Sequence, residues 1–563
     1  MAHPPSDAVI RFEPDGFSLT GPRLMGRQSA GNGFLRAAVQ GRLDERVYGY
    51  TAMEHSAKRF TAMVKEFDRA AEPVWIPGEK MDLIGVRRGV IYLADPTLAI
   101  YARLRQRIGP AKHSLCGVTH TLATAGTLEG ISEMLTEAVM PWDALVCTST
   151  AALQVVHGTL GARADFLRWR FGPQARLCFP QLPVIPLGVH CCDFTFTADD
   201  KAAARRALGI AEDEVAVLYV GRLLFAGKSH PYPAFTALQA AAERTGKKVV
   251  GILCGRAPND ALEQAYLEGA ASYGPDVRVL HVDSRADETR RNAWAAGDIF
   301  ISLSDGIQET FGLTPVEAMA AGLPVVVTDW NGYKDTVRDG VDGFRIDTWA
   351  PEANAAGVAY ALRQEIKILD FDNYTWAVAA ATSVDIKQLS DRLTDLVAEP
   401  DLRRRMGEAG YARARELYDW PLVYKQYQAL WGELNGRRVA AASNEDETAW
   451  VRAAPKIPSS RLDPFDQFGH YPTHLIGART RVALRPGVTF DDYLARSADP
   501  LFPRAGAPES LSRPMWEILE HGPSTVDVLS AAATLSLGWG ISVIGAMAKM
   551  GVVELSAAEA EAP

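Results

Sequence analysis

The sequence predicts an α/β protein of two Rossmann-like lobes facing a cleft, with a small helical or winged-helix-like appendage at its C-terminal end. Three observations carry that expectation. From about residue 215, the apolar runs VAVLYV, KVVGILCG, VRVLHV, DIFISLS, PVVVTD and GFRID alternate with helical patterns, as a parallel sheet covered on both faces requires. A second alternation, with GVIYLAD, LCGVTHTL and DALVCTS as strands, precedes it. And 563 residues exceed what one hydrophobic core organises.

Composition narrows the functional classes. With 47% hydrophobic and 23% charged residues the chain is ordinary globular protein, and its net charge of −9 excludes a general nucleic-acid binder. The same charge gives no wholesale attraction to anionic membranes, so any such contact rests on local basic patches. Six cysteines lack zinc-like or framework spacing, and Cys191 and Cys192 are adjacent. Reduced thiols and a cytoplasmic setting are expected. The opening MAHPPSDAVIRFEPD has no basic-then-apolar layout, so no signal peptide is expected. Val528 to Ala548 carries no charge and is long enough to span a bilayer, yet it holds three Ser, one Thr and three Gly. Two packed helices of a small domain are the expectation there.

In chain order, AVIRFEP reads as a first strand, and Gly26 to Arg36 (GRQSAGNGFLR) runs into a helix. Gly31 and Gly33 either make a structural turn or let backbone N–H groups approach a phosphate at the helix start. Past the apolar run LCGV stands His120, either a satisfied structural histidine or a ligand contact at a strand's C-terminal end. Arg-rich stretches at 103–107 and 163–170 read as solvated helix faces or as a meeting place for a phosphorylated or membrane-borne acceptor. Prolines at 180, 183 and 186 suit a connection that cannot continue a helix, and the lobe boundary is placed at 190. The expected domains are therefore 1–190, 191–400, closing helices at 401–435, a linker or strap at 436–463, and the appendage at 464–563.

After VAVLYV comes Gly221-Arg222-Leu223-Leu224-Phe225-Ala226-Gly227-Lys228-Ser229. The Walker pattern G-x-x-x-x-G-K-S/T has four residues between its glycines and this loop has five; Pro231 and Pro233 also interrupt the helix a P-loop would start at the lysine. Asp370-Phe371-Asp372 follows a helical pattern rather than an apolar strand, so it reads as a helix-end turn and not as a metal site. In the appendage, STVDVLSAAATLSLGWGISVIGAMAKMGVVEL suggests a winged helix, but Leu537 to Met547 has no basic residue with which to read bases.

The chain is organised around Ile299 to Asp347. A strand, IFISLS, leads to Asp305-Gly306-Ile307-Gln308-Glu309-Thr310-Phe311-Gly312-Leu313-Thr314-Pro315-Val316-Glu317-Ala318-Met319, then to Gly322 and PVVVTD. Thr314 is a natural N-cap, Pro315 suits the first helical position, Glu317 falls where a capping box needs it, and Gly322 stops the helix. Glu317 is thus either a capping residue or a ligand. Glu309, eight positions earlier, stands where doubly wound sheets bind ligands.

The E-x7-E spacing inside ETFGLTPVEAMAAGLPVV resembles the signature of retaining, nucleotide-sugar-dependent glycosyltransferases of family 4, which have the two-lobed GT-B fold. The likeness covers about residues 20–435. It implies that Glu317 holds ribose hydroxyls and that Glu309, with the backbone of Phe311, Gly312 and Leu313, holds the transferred sugar. Arg222 and Lys228 would take the charge growing on the leaving diphosphate, His120 would line the sugar, and Gly31 and Gly33 would face the diphosphate. It implies no cofactor beyond the nucleotide-diphosphate-sugar, no metal, and a glycan, lipid-linked or small-molecule acceptor. Departures are the long segment GFSLTGPRLM before the glycines, and His190 where the family normally carries Asp. A GT-B phosphorylase, a sugar-nucleotide epimerase and a non-catalytic nucleotide-sugar-binding scaffold are the alternatives.

Overall fold

The structure, a computed structural model, describes residues 3–19, 26–225, 227–502 and 507–557. It divides into two compact units, Met1–Pro458 and Ser459–Pro563.

The first unit holds two six-stranded parallel sheets. The first is built from β1 (Val9–Arg11), β2 (Arg46–Thr51), β3 (Glu72–Pro77), β4 (Val90–Tyr92), β5 (Ser114–Val118) and β6 (Ala144–Val146), in the order β3-β2-β1-β4-β5-β6. The second takes β7 (Val215–Val220), β8 (Val249–Cys254), β9 (Arg278–Val282), β10 (Ile299–Ser302), β11 (Val325–Thr328) and β12 (Gly343–Ile346), in the order β12-β11-β10-β7-β8-β9. Both are the same doubly wound pattern. Each reverses once, between β1 and β4 and between β7 and β10, and crevices at the carboxyl ends of such strands are where open α/β sheets bind ligands. The near-continuous burial of β7, β8, β10 and β11 explains why they stand out in the sequence as unbroken apolar runs. β2 and β3 lay outside the sequence expectation, since RVYGYT and EPVWIP carry a glycine and two prolines.

The helix Gly26–Gln40 corrects the reading of the first glycines. Gly31 and Gly33 lie inside it, not in a loop at its start. A Cβ on Gly31 would run into the Gly16 carbonyl, and one on Gly33 would stand 2.6 Å from the Trp420 indole nitrogen. They are packing glycines. Residues 20–25 of the long preceding segment lie outside the described residues, as does Ala226 of the second-lobe loop.

Trp420 begins the helix Trp420–Ala442, whose Tyr424, Tyr427 and Trp431 join Phe34 and Tyr92 in the core of the first lobe. Phe34 and Tyr92 are stacked with centroids 3.8 Å apart. The stretch expected as a linker from 436 is thus helical to Ala442, and a further helix, Glu445–Arg452, follows. Arg176 ties that helix down, stacked 3.7 Å from the Trp450 ring centre and 3.4 Å from Glu447. The segment is a strap.

Arg105 corrects another expectation. Instead of a solvated or acceptor-facing side chain it is fully buried, gripping Asp143 with both terminal nitrogens at 2.6 and 2.7 Å. Asp143 in turn accepts backbone N–H groups from Leu115 and Met140, so the pair locks β5 to the entrance of β6. Asp370 caps the helix Phe371–Ala380 by accepting the Asn373 N–H at 2.8 Å, which accounts for the D-x-D without a metal.

The second unit is small. Strands β15 (Arg481–Leu484), β16 (Ser524–Thr525) and β17 (Val553–Ser556) form an antiparallel sheet with β15 central; β13 (Thr348–Trp349) and β14 (Ser383–Val384) are a minor pair in the first unit. Its helices pack over a core that includes Tyr493, Trp516, Ile544 and Met547. The uncharged stretch is two helices, Val526–Ala532 and Leu537–Lys549, bent 106° from each other. Gly540 lets them approach, because a Cβ there would collide with Ser530. Among the described residues no single helix is long and apolar enough to cross a membrane.

Candidate active site

The second sheet's reversal puts two loops side by side: Gly221 to Pro231 after β7, and Leu303 to Gly312 after β10. Lys228 on the first reaches Glu309 on the second, Nζ to Oε2 at 2.9 Å. Burial pushes the Glu309 carboxyl up, but the Lys228 ammonium and the N–H groups of Thr310 and Phe311 outweigh it and hold the group below its ordinary value. Glu309 is therefore ionised at neutral pH. The Arg222 guanidinium on the same loop has no carboxylate within ion-pair range among the described residues, while its carbonyl accepts the Tyr219 hydroxyl at 3.0 Å. That half-buried phenol also lies in the fields of Glu309 and Asp305.

The motif helix is Leu313–Ala320, which starts two residues earlier than the capping-box expectation. Gly312, at φ +89°, is its N-cap, and no side chain caps it. Thr314 and Glu317 therefore do not form a capping box; the left-handed glycine turns the chain into the helix first. Pro315 still falls in the first turn, where its missing N–H has no intrahelical partner anyway. At the other end Gly322 N–H donates to Met319 and Leu323 N–H to Ala318, at 2.9 and 3.0 Å, a Schellman motif around the positive-φ Gly322. Glu317, freed from capping, is half-buried and its carboxyl is pushed up to about 7 by burial, against the fields of Arg290 and Lys228.

Gly312 is fixed twice over. Besides its backbone angle, a Cβ there would collide with the Tyr333 ring, which is buried with its hydroxyl 2.9 Å from Ser302 Oγ. Gly312→Ala is therefore expected to destabilise the chain by more than about 2 kcal/mol, from backbone strain plus overpacking. A thermal-unfolding midpoint like the parent's would contradict this. Phe311, packed against Tyr418 at 6.0 Å, is core rather than cleft, whereas Leu313 is half-exposed at the helix start.

Two groups without an assigned role in the sequence reading come forward. Asp305 follows the apolar end of β10 and is 6% exposed. Its Oδ1 has no hydrogen-bond partner and Oδ2 accepts the His230 N–H at a long 3.5 Å, so burial pushes the carboxyl up to about 7. Ser149 caps the helix Thr150–Phe171 of the first lobe, and its hydroxyl donates to the Thr310 carbonyl at 2.6 Å, beside a 2.6 Å bond from Thr150 N–H to Asp335. The first lobe thereby touches the Glu309 loop. The signal for Asp305 was its position as the first charged residue after an apolar strand; nothing local marks Ser149.

His120 follows β5 in the first lobe, in the fields of Asp95, which follows β4, and of Arg27, in the helix after β1. Burial holds its ring neutral, lowering its pKa to about 4. The structure thus brings Lys228, Glu309, Arg222 and Glu317 to one end of the second sheet and His120 to the corresponding end of the first. It leaves Gly31 and Gly33 to packing. His190 holds the Gly33 carbonyl at 3.0 Å, joining the interlobe segment to the first-lobe helix. A cavity of about 40 Å³ beneath the Lys228 loop, lined by Tyr219, Leu238, Ile252 and Tyr266, is apolar and too small for a sugar.

Residues 200–378 match the family model described as Glycosyl transferases group 1, so the chain carries a glycosyltransferase group 1 domain. Among curated proteins it is similar to a D-inositol 3-phosphate glycosyltransferase of Geodermatophilus obscurus, 34% identical over 198 residues, which are 32% of this chain and 41% of that protein. A D-inositol 3-phosphate glycosyltransferase 2 of Catenulispora acidiphila is 30% identical over 208 residues, 34% of this chain and 47% of that protein. The chain thus spans less than half the length of these two relatives. Among solved structures, the Anabaena protein HepE in complex with UDP-glucose aligns over 75% of this chain and 98% of its own, at 16% identity and a TM-score of 0.48.

Proposed function

We propose that the glycosyltransferase group 1 domain is the donor half of a working transferase, which moves a sugar from a nucleotide-diphosphate donor to a glycan, lipid-linked or small-molecule acceptor with retention of configuration. The observation that carries this reading is the Lys228–Glu309 pair at the sheet's reversal, with Arg222, which has no ion pair among the described residues, on the same loop. A leaving diphosphate gains negative charge as the glycosidic bond breaks, and two cations on one loop are positioned to meet it. Arg222 grips two phosphate oxygens, and Lys228 supplies a compact charge. Glu309, held ionised, accepts hydroxyls of the sugar; Glu317 accepts those of the ribose. His120, kept neutral, hydrogen-bonds the sugar from the other lobe, and the leaving phosphate takes the acceptor's proton. Catalysis is positioning and electrostatic stabilisation, and no metal enters the scheme.

Screening nucleotide-sugars for thermal stabilisation tests it. The right donor at 100 times its dissociation constant adds about 2.7 kcal/mol, and transfer to an acceptor should persist in excess chelator. A chain stabilised by no nucleotide-sugar would sink the proposal.

A further inference from the structure

The helix Thr150–Phe171 runs 22 residues from Ser149, at the Glu309 loop, to an exposed far end. At 1.5 Å per residue that is about 33 Å. Its far end presents Phe166, Trp169 and Phe171 at 47%, 76% and 71% exposure, three aromatics within six residues. Arginines 163, 168 and 170 are interleaved with them, against one acid, Asp165, so this helix end carries a net charge of +2 on a chain of −9. Arg168 is paired to Asp165 only loosely, at 3.3 Å with both side chains exposed, and Arg170 has no ion pair among the described residues. Arg163 lies over the Phe166 ring. Single exposed aromatics need no explanation, but Phe166 and Trp169 in ring contact at 5.6 Å, with exposed Phe171 ending the same helix and arginines between them, do.

We propose that this helix end is a docking surface for an anionic lipid bilayer, with Trp169 and Phe171 entering the headgroup boundary and Arg163, Arg168 and Arg170 meeting lipid phosphates. Charge complementarity selects the occupant: a chain with this overall charge is repelled by anionic surfaces except where such a patch faces them. The combination of aromatic anchors with arginine is that of interfacial helices. Because the start of the same helix is hydrogen-bonded to the Thr310 carbonyl and to Asp335, docking its far end sets the candidate active site at a fixed distance from the membrane plane. The inference needs no assumption about transfer and is tested without an activity assay.

The full chain is mixed with vesicles of phosphatidylcholine alone, or of equal parts phosphatidylcholine and phosphatidylglycerol, and co-sedimented. It should bind the anionic vesicles, release in high salt and ignore the neutral ones. Trp169→Ala with Phe171→Ala, and separately Arg168→Glu with Arg170→Glu, should each weaken binding roughly tenfold or more, with unfolding midpoints like the parent's because the side chains are exposed. Failure of the parent to bind anionic vesicles overturns the proposal, as does unchanged binding by either double variant. Displacement by single-stranded RNA, together with indifference to loss of the aromatics, would assign the patch to nucleic acid instead.

Discussion

Lys228→Ala is expected to lower turnover by about 10²–10³, the cost of losing one preorganised stabiliser of developing charge, or roughly 2.7–4 kcal/mol. The site geometry sharpens the sign on each side. Lys228 spends its charge on Glu309 in the unliganded chain, at 2.9 Å. A donor diphosphate would draw the ammonium partly away, so the lysine serves two anions in turn. Its removal costs catalysis its cation and leaves Glu309 less well compensated, raising the carboxyl pKa from its depressed value. Stability changes less than turnover, since the half-exposed lysine leaves the pair partly screened by solvent. The stability the ionised Glu309 contributes is present above its unfolded value and lost as pH falls through its lower folded one, so the difference between variant and parent should vanish in acid. Arg222→Lys should also be impaired, because the fork that holds two oxygens is gone while the charge remains. Steady-state turnover and thermal unfolding on the same preparations decide the matter. A Lys228→Ala chain that transfers normally, while chelator stops the parent and magnesium restores it, would mean that a metal holds the diphosphate.

What the sequence makes legible follows from how much of each element's reason is local. The second lobe reads cleanly because β7, β8, β10 and β11 are buried on both faces and so appear as unbroken apolar runs. Lys228 and Glu309, 81 residues apart in the chain, were reached separately, Glu309 from its place after an apolar strand and Lys228 through the family resemblance, and their ion pair was not legible in either stretch. The glycines at 31 and 33 misled because an interior helix glycine that admits Trp420 looks, in isolation, like a phosphate-binding one. The capping box at Thr314 misled for a related reason: its spacing was right, but Gly312 had already started the helix through a backbone angle that a sequence does not display. Arg105 in an Arg-rich run gave no sign that Asp143, 38 residues on, would take it into the core. Each miss is a tertiary partner overriding a plausible local pattern.

The freed Glu317 carries the last expectation. If ribose hydroxyls donate to its carboxylate, only the ionised form binds well, and in the empty site burial holds that carboxyl at about 7. Donor affinity should then rise about tenfold from pH 6 to pH 8 and level off above, with protons released on binding near neutrality. A nucleotide-sugar is the proper ligand, because its diphosphate bears a group on each phosphorus and does not itself titrate in this range. Glu317→Gln should flatten the profile. The same substitution should stabilise the unliganded chain with increasing pH: a carboxyl whose folded pKa is raised contributes stability below its unfolded value and loses it as pH climbs through the folded one. The gain over the parent should grow from nothing near pH 4 to on the order of 1–3 kcal/mol at pH 8, discounted for a half-exposed group. Asp305, also near 7 and with one oxygen unpartnered, is the competing source of such a profile. Asp305→Asn separates the two. Calorimetric titrations in buffers of different ionisation enthalpy would show a slope that survives Asp305→Asn and disappears in Glu317→Gln; the reverse pattern would take the ribose from Glu317, and a flat parent profile would remove the carboxylate from donor binding altogether.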